Sequence, residues 1–187
     1  MSITKNHYYL YIENSKLLNL SLIKKRGKFS IIYRYDKEKE HLKSIKKFKK
    51  ECKKRGVGFY IVNNFIIANQ CKADGLYLSS YNNSFYNRQS LKLIGSAHNI
   101  KEIYQKKEQG CKIIFLSRLF KTNYIQKKDF YGVIKFNLLT MSRDSSFVPL
   151  GGIRIENLNK LNMVNSKSFA VLSEAQKKPA KIFSRLV

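Results

Sequence analysis

The side chains that could do chemistry are mostly uncharged. Two adjacent amides, Asn63 and Asn64, close the apolar run "FYIVNN". An amide oxygen can ligate a hard cation, but without a charge it loses most of a carboxylate's attraction for Mg²⁺. Arg34 stands just beyond "FSIIY". It is either a surface arginine past a strand end or an anion contact, since its planar charged fork suits phosphate. Gly151 and Gly152 follow "SFVPL", and Ser173 follows "SFAVL". A glycine pair permits a tight turn, and after the seventh and eighth strands of a barrel the same place is the usual phosphate corner. His98 directly precedes Asn99, a helix cap, and reads as a capping or packing residue rather than a base. The sequence offers no Ser–His–Asp set, no paired carboxylates and no metal-ligand spacing elsewhere. Cys52, Cys71 and Cys111 are scattered and odd in number, which fits buried thiols in a reducing compartment.

These residues need elements to place them. Runs of β-branched and aromatic residues predict eight strands: "YYLYI" (8–12), "FSIIYR" (29–34), "GFYIV" (58–62), "GLYLS" (75–79), "KLIGS" (92–96), "KIIFLS" (112–117), "SFVPLG" (146–151) and "SFAVLS" (168–173). Helical stretches fall between most of them: "KLLNLSLIKKRG", "HLKSIKKFKKECKKRG", "NIKEIYQKKEQG", "FYGVIKFNLLTMS" and "IENLNKLNMVN". Asn99 followed by Glu102 predicts a capping box, and Gly110 predicts the helix end. The link "YNNSFYNRQSL" is too polar for a helix. Strands that are apolar on both faces and alternate with helices imply parallel pairing with right-handed crossovers. Eight such units close into a (β/α)₈ TIM barrel, here a single small α/β domain over residues 1–187. Such barrels typically run to about 250 residues, so this one is trimmed. An open doubly wound sheet is the competing architecture, but its first turn would be glycine-rich, and the first turn here is "ENSKLL".

Composition sets the outer limits. The 187 residues carry 37 Lys and Arg against 12 Asp and Glu, a formal net charge of +25, which favours polyanions as partners. Its distribution argues otherwise. In the lysine-rich stretch, Leu42, Ile45, Phe48 and Cys52 recur at spacings of three and four, which turns the lysines to a solvated helix face. No recognised nucleic-acid module accompanies them. No apolar run approaches the ~20 residues that cross a bilayer, and the start "MSITKNHYYLYI" lacks the features of a signal peptide. The expectation is a cytoplasmic protein that binds no membrane, with nucleic acid a disfavoured partner.

Taken in order, "FYIVNN", "ADGLYL", "LIGSAHN", "FLSRLFKT", "LGGI" and "FAVLSEA" resemble the stretches of the thiamine phosphate synthase family and its sister thiazole tautomerases. The likeness runs from the first predicted strand to the last. It implies a transferase of thiamine biosynthesis that joins hydroxymethylpyrimidine diphosphate to a thiazole phosphate. Pyrophosphate leaves through a carbocation-like transition state helped by magnesium. By this resemblance Arg34 is a diphosphate contact, while Ile32 and Asp36 stand where the family has glutamine and lysine. Asn63 matches a pyrophosphate-binding asparagine. Asn64 and Asn82 occupy the two magnesium aspartate positions, and Ser96 matches the serine after strand five. Thr122 keeps the first threonine of "TxTK", whereas Tyr124 and Ile125 replace the second threonine and the lysine. Gly151, Gly152 and Ser173 retain the thiazole-phosphate cradle. Arg118 stands where the family has proline and reads as a rim residue. No histidine follows strand six in "SRLFKT", which counts against tautomerase chemistry.

The expectation is therefore a divergent synthase-like barrel whose partners are phosphorylated small molecules, with a homo-oligomer left open. Arg34, Asn63 and Ser96 would be catalytic, and Thr122, Gly151, Gly152 and Ser173 would bind substrate. Asn64 and Asn82 are degenerate metal positions, and no other acidic residue is expected at a neighbouring strand end. Mg²⁺ would then be weak and delivered with the substrate. The alternatives are a catalytically silent barrel that binds a phosphorylated ligand, and a basic protein that binds nucleic acid without specificity.

Overall fold

The computed structural model describes residues 5–23, 26–86, 91–122, 129–141 and 146–171. Eight parallel strands follow one another in chain order and close, the first pairing with the last. They are β1 (His7–Ile12), β2 (Phe29–Tyr33), β3 (Gly58–Val62), β4 (Gly75–Leu78), β5 (Lys92–Ala97), β6 (Ile113–Ser117), β7 (Ser146–Leu150) and β8 (Ser168–Val171). All eight expected strands are present, within a residue or two at each end. The expected last two residues of the eighth, Leu172 and Ser173, lie outside the described residues.

Alternation along each strand divides the apolar side chains into two sets. One fills the barrel: Tyr9, Ile32, Tyr60, Val62, Tyr77, Ile94, Phe115, Val148 and Ala170. The other, which includes Leu10, Ile31, Phe59, Ile61, Leu76 and Ile114, joins the helices in one outer core. Large and small residues interlock in the interior. A Cβ on Gly75 would stand 2.6 Å from the Tyr60 ring and 2.3 Å from the Lys92 carbonyl oxygen. Only glycine leaves room there for the tyrosine.

The crossovers depart from regular helices. Four α-helices are described: α1 (Leu42–Lys54), α2 (Phe65–Gln70), α3 (Ile100–Glu108) and α4 (Gly132–Thr140). The first crossover, expected as one helix, is two 3₁₀ turns, Ser15–Leu17 and Leu20–Leu22. The amide oxygens of Asn14 and Asn19 accept from the backbone N–H of Lys16 and Ser21, and this local capping interrupts a continuous helix. The segment "IENLNKLNM" is a 3₁₀ helix, Ile155–Met163. No helix joins β4 to β5 among the described residues, as the polar link predicts.

Helix α1 is amphipathic, with Ile45 and Cys52 buried. The reading that turned its lysines outward fails at Lys49, which is buried. Its ammonium bonds Asp74, and the same carboxylate accepts the Phe59 N–H at 2.8 Å, so α1 is tied to the starts of β3 and β4. Asn99 caps α3 by accepting the Glu102 N–H at 2.9 Å. The Glu102 carboxylate reaches the His98 N–H at 2.7 Å rather than that of the cap itself. Gly110, at φ 83°, closes this segment.

A third tie-point is Glu40. It accepts from the Ser15 hydroxyl, from the Ser15 N–H at 2.9 Å and from the Tyr33 phenol at 2.5 Å. Burial pushes this carboxyl up, but the Ser15 donors and Tyr33 outweigh it and hold the carboxyl below the ordinary glutamate value. No described helix is long and apolar enough to cross a membrane.

Candidate functional site

The C-terminal ends of the strands gather the candidate residues, as the barrel requires. Asn63 sits one residue past β3 with φ 54°, a left-handed conformation that asparagine tolerates better than most residues. Its backbone N–H still donates to the Tyr77 carbonyl at 2.9 Å, and its Oδ1 accepts the Ser79 N–H at 2.9 Å. The side-chain carbonyl thus extends the β3–β4 ladder by one rung after the backbone has turned away. Nδ2 of Asn63 donates to the Ser79 hydroxyl at 2.7 Å. The second amide, Asn64, accepts the Ile67 N–H at 3.0 Å and caps α2. Asn82 donates to Asn63 Oδ1 at 3.2 Å, and its own Oδ1 accepts the Ser84 N–H at 2.9 Å.

All three amide oxygens are therefore engaged within the protein. This neutral network does not fit a tight resident Mg²⁺, because none of its oxygens brings charge and that of Asn63 already accepts two hydrogen bonds. Among the described residues no group of three or more His, Cys, Asp or Glu could hold a metal ion.

Beside Asn64 a cleft of about 500 Å³ opens, lined by Glu13, Arg34, Tyr35, Asp36, Lys37 and Lys39. Two carboxylates here correct the expectation of no acidic strand ends: Glu13 immediately follows β1, and Asp36 lies three residues past β2. Both are matched by cations. Arg34 Nη1 is 3.6 Å from Glu13 Oε1, and Lys39 Nζ is 3.7 Å from Glu13 Oε2 and 3.4 Å from Asp36 Oδ2. Three basic and two acidic residues line the cleft, which leaves it positive by one. Lys37 and Lys39 bring back cationic charge where the family's lysine is replaced by Asp36. Ile32, at the glutamine position, packs into the barrel interior and offers no polar atom to the cleft.

The remaining positions lie around the same mouth without direct contact to the asparagine cluster. Ser96 is buried on β5 and hydrogen-bonds the Tyr77 phenol. Thr122 lies past β6, and its hydroxyl is buried with no partner among the described residues. Gly151 and Gly152 have φ of 90° and 69°. A Cβ on Gly152 would lie 2.3 Å from the Phe120 carbonyl oxygen, and one on Gly151 would lie 2.9 Å from Arg118 Cγ. The loop after β6 runs against this pair, Phe120 N–H donating to the Gly151 carbonyl at 3.1 Å. Asn157 Nδ2 takes the Gly152 carbonyl at 2.8 Å. The glycines are thus required first by close backbone approach. Ser173, Tyr124 and Ile125 lie outside the described residues.

Sequence reasoning missed Glu13, Lys37, Lys39 and Ser79. The signal for Glu13 was its place directly after "YYLYI". Ser79 could have been found as the polar residue that ends the strand beside Asn63.

Comparison with known proteins agrees with this fold. The family model described as thiamine monophosphate synthase matches residues 3–175. The thiamine-phosphate synthase of Prochlorococcus marinus subsp. pastoris is 31% identical over 179 residues, covering 90% of this chain and 49% of that protein. The synthase of Clostridioides difficile is 27% identical over 142 residues, covering 72% of this chain and 67% of its own. The chain spans about half or less of the length of the Prochlorococcus relatives it matches. The thiamine phosphate pyrophosphorylase from Pyrococcus furiosus superposes with a TM-score of 0.75 at 16% identity, covering 98% of this chain and 94% of that one. The native KDPGal structure superposes with a TM-score of 0.69 at 10% identity, covering 100% and 95%; at these identities the two structures speak to the fold alone. With the family model spanning nearly the whole sequence, the chain belongs to the thiamine monophosphate synthase family.

Proposed function

We propose that the chain joins hydroxymethylpyrimidine diphosphate to a thiazole phosphate with release of pyrophosphate. One observation carries this reading: Arg34 and Asn64 line one cleft at the strand mouths of a barrel of this family, with Asn63 next in sequence. In the reaction the bond between the pyrimidine methylene and the diphosphate oxygen breaks, and the oxygen keeps the electron pair. The thiazole nitrogen then bonds the methylene carbon. The chain's contribution is to hold both phosphorylated rings together and to balance the charge gathering on the leaving group.

Arg34 offers two N–H donors and a full charge to the diphosphate, with Lys37 and Lys39 beside it. The interior below is closed by Tyr9, Tyr60, Tyr77 and Phe115, which keeps water from beneath the reacting carbon. The glycine pair after β7 would receive the thiazole phosphate. The asparagine network offers a cation no charge, so Mg²⁺ would be held weakly and would enter already bound to the diphosphate.

The second reading is a silent barrel that binds a phosphorylated ligand, favoured by the Arg34–Glu13 pair and by the engaged amides. Incubating the purified chain with both substrates and following thiamine phosphate and pyrophosphate separates the two. Equal amounts of both products, absent when either substrate is omitted, support the synthase; saturable substrate binding without product supports the silent barrel.

A further inference from the structure

Lys106 is a lysine on α3 whose side chain is fully buried. Its hydrogen-bond partners are neutral: Nζ donates to the Asn82 carbonyl at 2.7 Å and to Gln109 Oε1 at 2.9 Å. Burying an ammonium against neutral oxygens is costly, and ordering a long side chain adds to the cost. Burial lowers the ionisation of this group from the ordinary lysine value, opposed by Cys111 and Glu102. Such a residue does not serve packing, for which an apolar side chain of the same length would do better.

What it holds is the link between β4 and β5, which contains no helix of its own among the described residues. Two α3 side chains and that of Gln109, the C-cap of the helix, grip that link. Gln105 Nε2 donates to Asn83 Oδ1 at 2.7 Å. Gln109 Nε2 donates to the carbonyls of Asn82 and Ser84 at 2.9 and 2.8 Å. Lys106 bonds the Asn82 carbonyl directly and also holds Gln109. From Asn82 the chain of bonds continues to Asn63 Oδ1 and from Asn63 to Ser79.

We infer that Lys106 is a positioning residue for the barrel mouth: by holding the Asn82 carbonyl from beneath, it fixes the asparagine cluster in the geometry that receives a diphosphate. The inference rests on the proposed function, because it takes Asn63 to face the diphosphate end of the site.

The test uses Lys106→Met, which keeps the stem and removes the ammonium, with Gln109→Met as the second variant. Backbone hydrogen exchange, the side-chain amide signals of Asn63 and Asn82, thermal unfolding and binding of inorganic pyrophosphate are measured on each. Lys106→Met is expected to unfold cooperatively and to exchange the Asn82 and Ser84 amides about tenfold faster, with β6 and β7 unchanged. The asparagine side-chain signals should shift, and pyrophosphate should bind about tenfold more weakly. Gln109→Met should move the same signals in the same direction, and it decides the matter if Lys106→Met does not fold. Unchanged loop exchange, exchange raised equally everywhere, or a loosened loop with pyrophosphate affinity intact would each overturn the inference. A wild-type chain that takes no pyrophosphate refutes the diphosphate site instead, while the exchange and amide signals still report whether Lys106 holds the cluster.

Discussion

Arg34 Nη1 lies 3.6 Å from Glu13 Oε1, across the cleft between the ends of β1 and β2. The guanidinium proposed to meet the diphosphate therefore faces a carboxylate of its own chain. Both side chains are more than a third exposed, so the pair is worth at most about 1 kcal/mol, and a diphosphate carrying several charges displaces it. In the proposed complex Glu13 would compete with the diphosphate for Arg34.

Arg34→Ala should weaken pyrophosphate binding about tenfold or more, the loss of a charged hydrogen-bonding group. Glu13→Gln should tighten it by a factor of about 2–5, since it removes a competitor worth up to ~1 kcal/mol. Lys43→Ala, on the exposed face of α1, should change little. Calorimetry on the three variants checks this, and equal losses for Arg34→Ala and Lys43→Ala would point to diffuse binding over the basic surface.

Asn63 combines a left-handed backbone with a side chain that extends the β3–β4 ladder. Replacement separates the two demands. Asn63→Gly loses the ladder bonds but accepts φ 54°, whereas Asn63→Ala loses the same bonds and adds about 1–2 kcal/mol of left-handed strain. Urea unfolding should rank wild type above Gly and Gly above Ala. Pyrophosphate binding should fall to a similar extent in both variants, because both lack the amide.

Much of the fold was readable because strands buried on both faces are written as apolar runs, and the eight of them leave few alternatives to closure. The crossovers were less readable. "KLLNLSLIKKRG" has helical spacing, but Asn14 and Asn19 turn their side chains onto the backbone and divide it into 3₁₀ turns. A lysine inside a basic run reads as solvated, so Lys49 and Lys106 gave no sign of burial; each is drawn inward by a partner remote in sequence, Asp74 or Asn82. In the candidate site, strand order placed Asn63 and Asn64 at the mouth, and the family resemblance added Arg34 and Asn82. What spacing could not reveal was that the amide oxygens are engaged, or that Glu13 faces Arg34. For Gly152, the Phe120 carbonyl forbids a side chain whether or not phosphate binds, so its substitution does not test the cradle.

Glu40 gives the stability a definite dependence on acid. Its carboxyl is held below the ordinary glutamate value in the folded chain, so its contribution is fully present above about pH 4.3. The contribution is lost as pH falls through the lower folded-state value. Glu40→Gln should cost about 1–3 kcal/mol at neutral pH by disturbing a buried acceptor of three bonds. It should also flatten the stability profile between pH 5 and 3, ranges set by the ordinary value of about 4.3. Denaturant unfolding across that range checks both; an unchanged slope in the variant would assign the acid sensitivity to other carboxylates.

The asparagine network makes the sharpest demand. With Asn64 Oδ1 on the Ile67 N–H and Asn82 Oδ1 on the Ser84 N–H, the wild-type chain should show no tight Mg²⁺ site by calorimetry, and any turnover should follow the concentration of the magnesium–diphosphate complex. Aspartate serves as well as asparagine at a helix cap, so Asn64→Asp keeps the end of α2 intact. Asn82→Asp keeps the acceptor for Ser84 but exchanges the amide donor to Asn63 for a repelled oxygen, which leaves the Asn63 carbonyl held by the Ser79 N–H alone. The double variant offers two carboxylates at one mouth and should bind Mg²⁺ measurably, with activity becoming steeply dependent on the metal. Tight Mg²⁺ binding by the unmodified chain would contradict the reading of the network as closed. A double variant that binds Mg²⁺ and both substrates, yet forms no product, would assign the chain to the silent barrels.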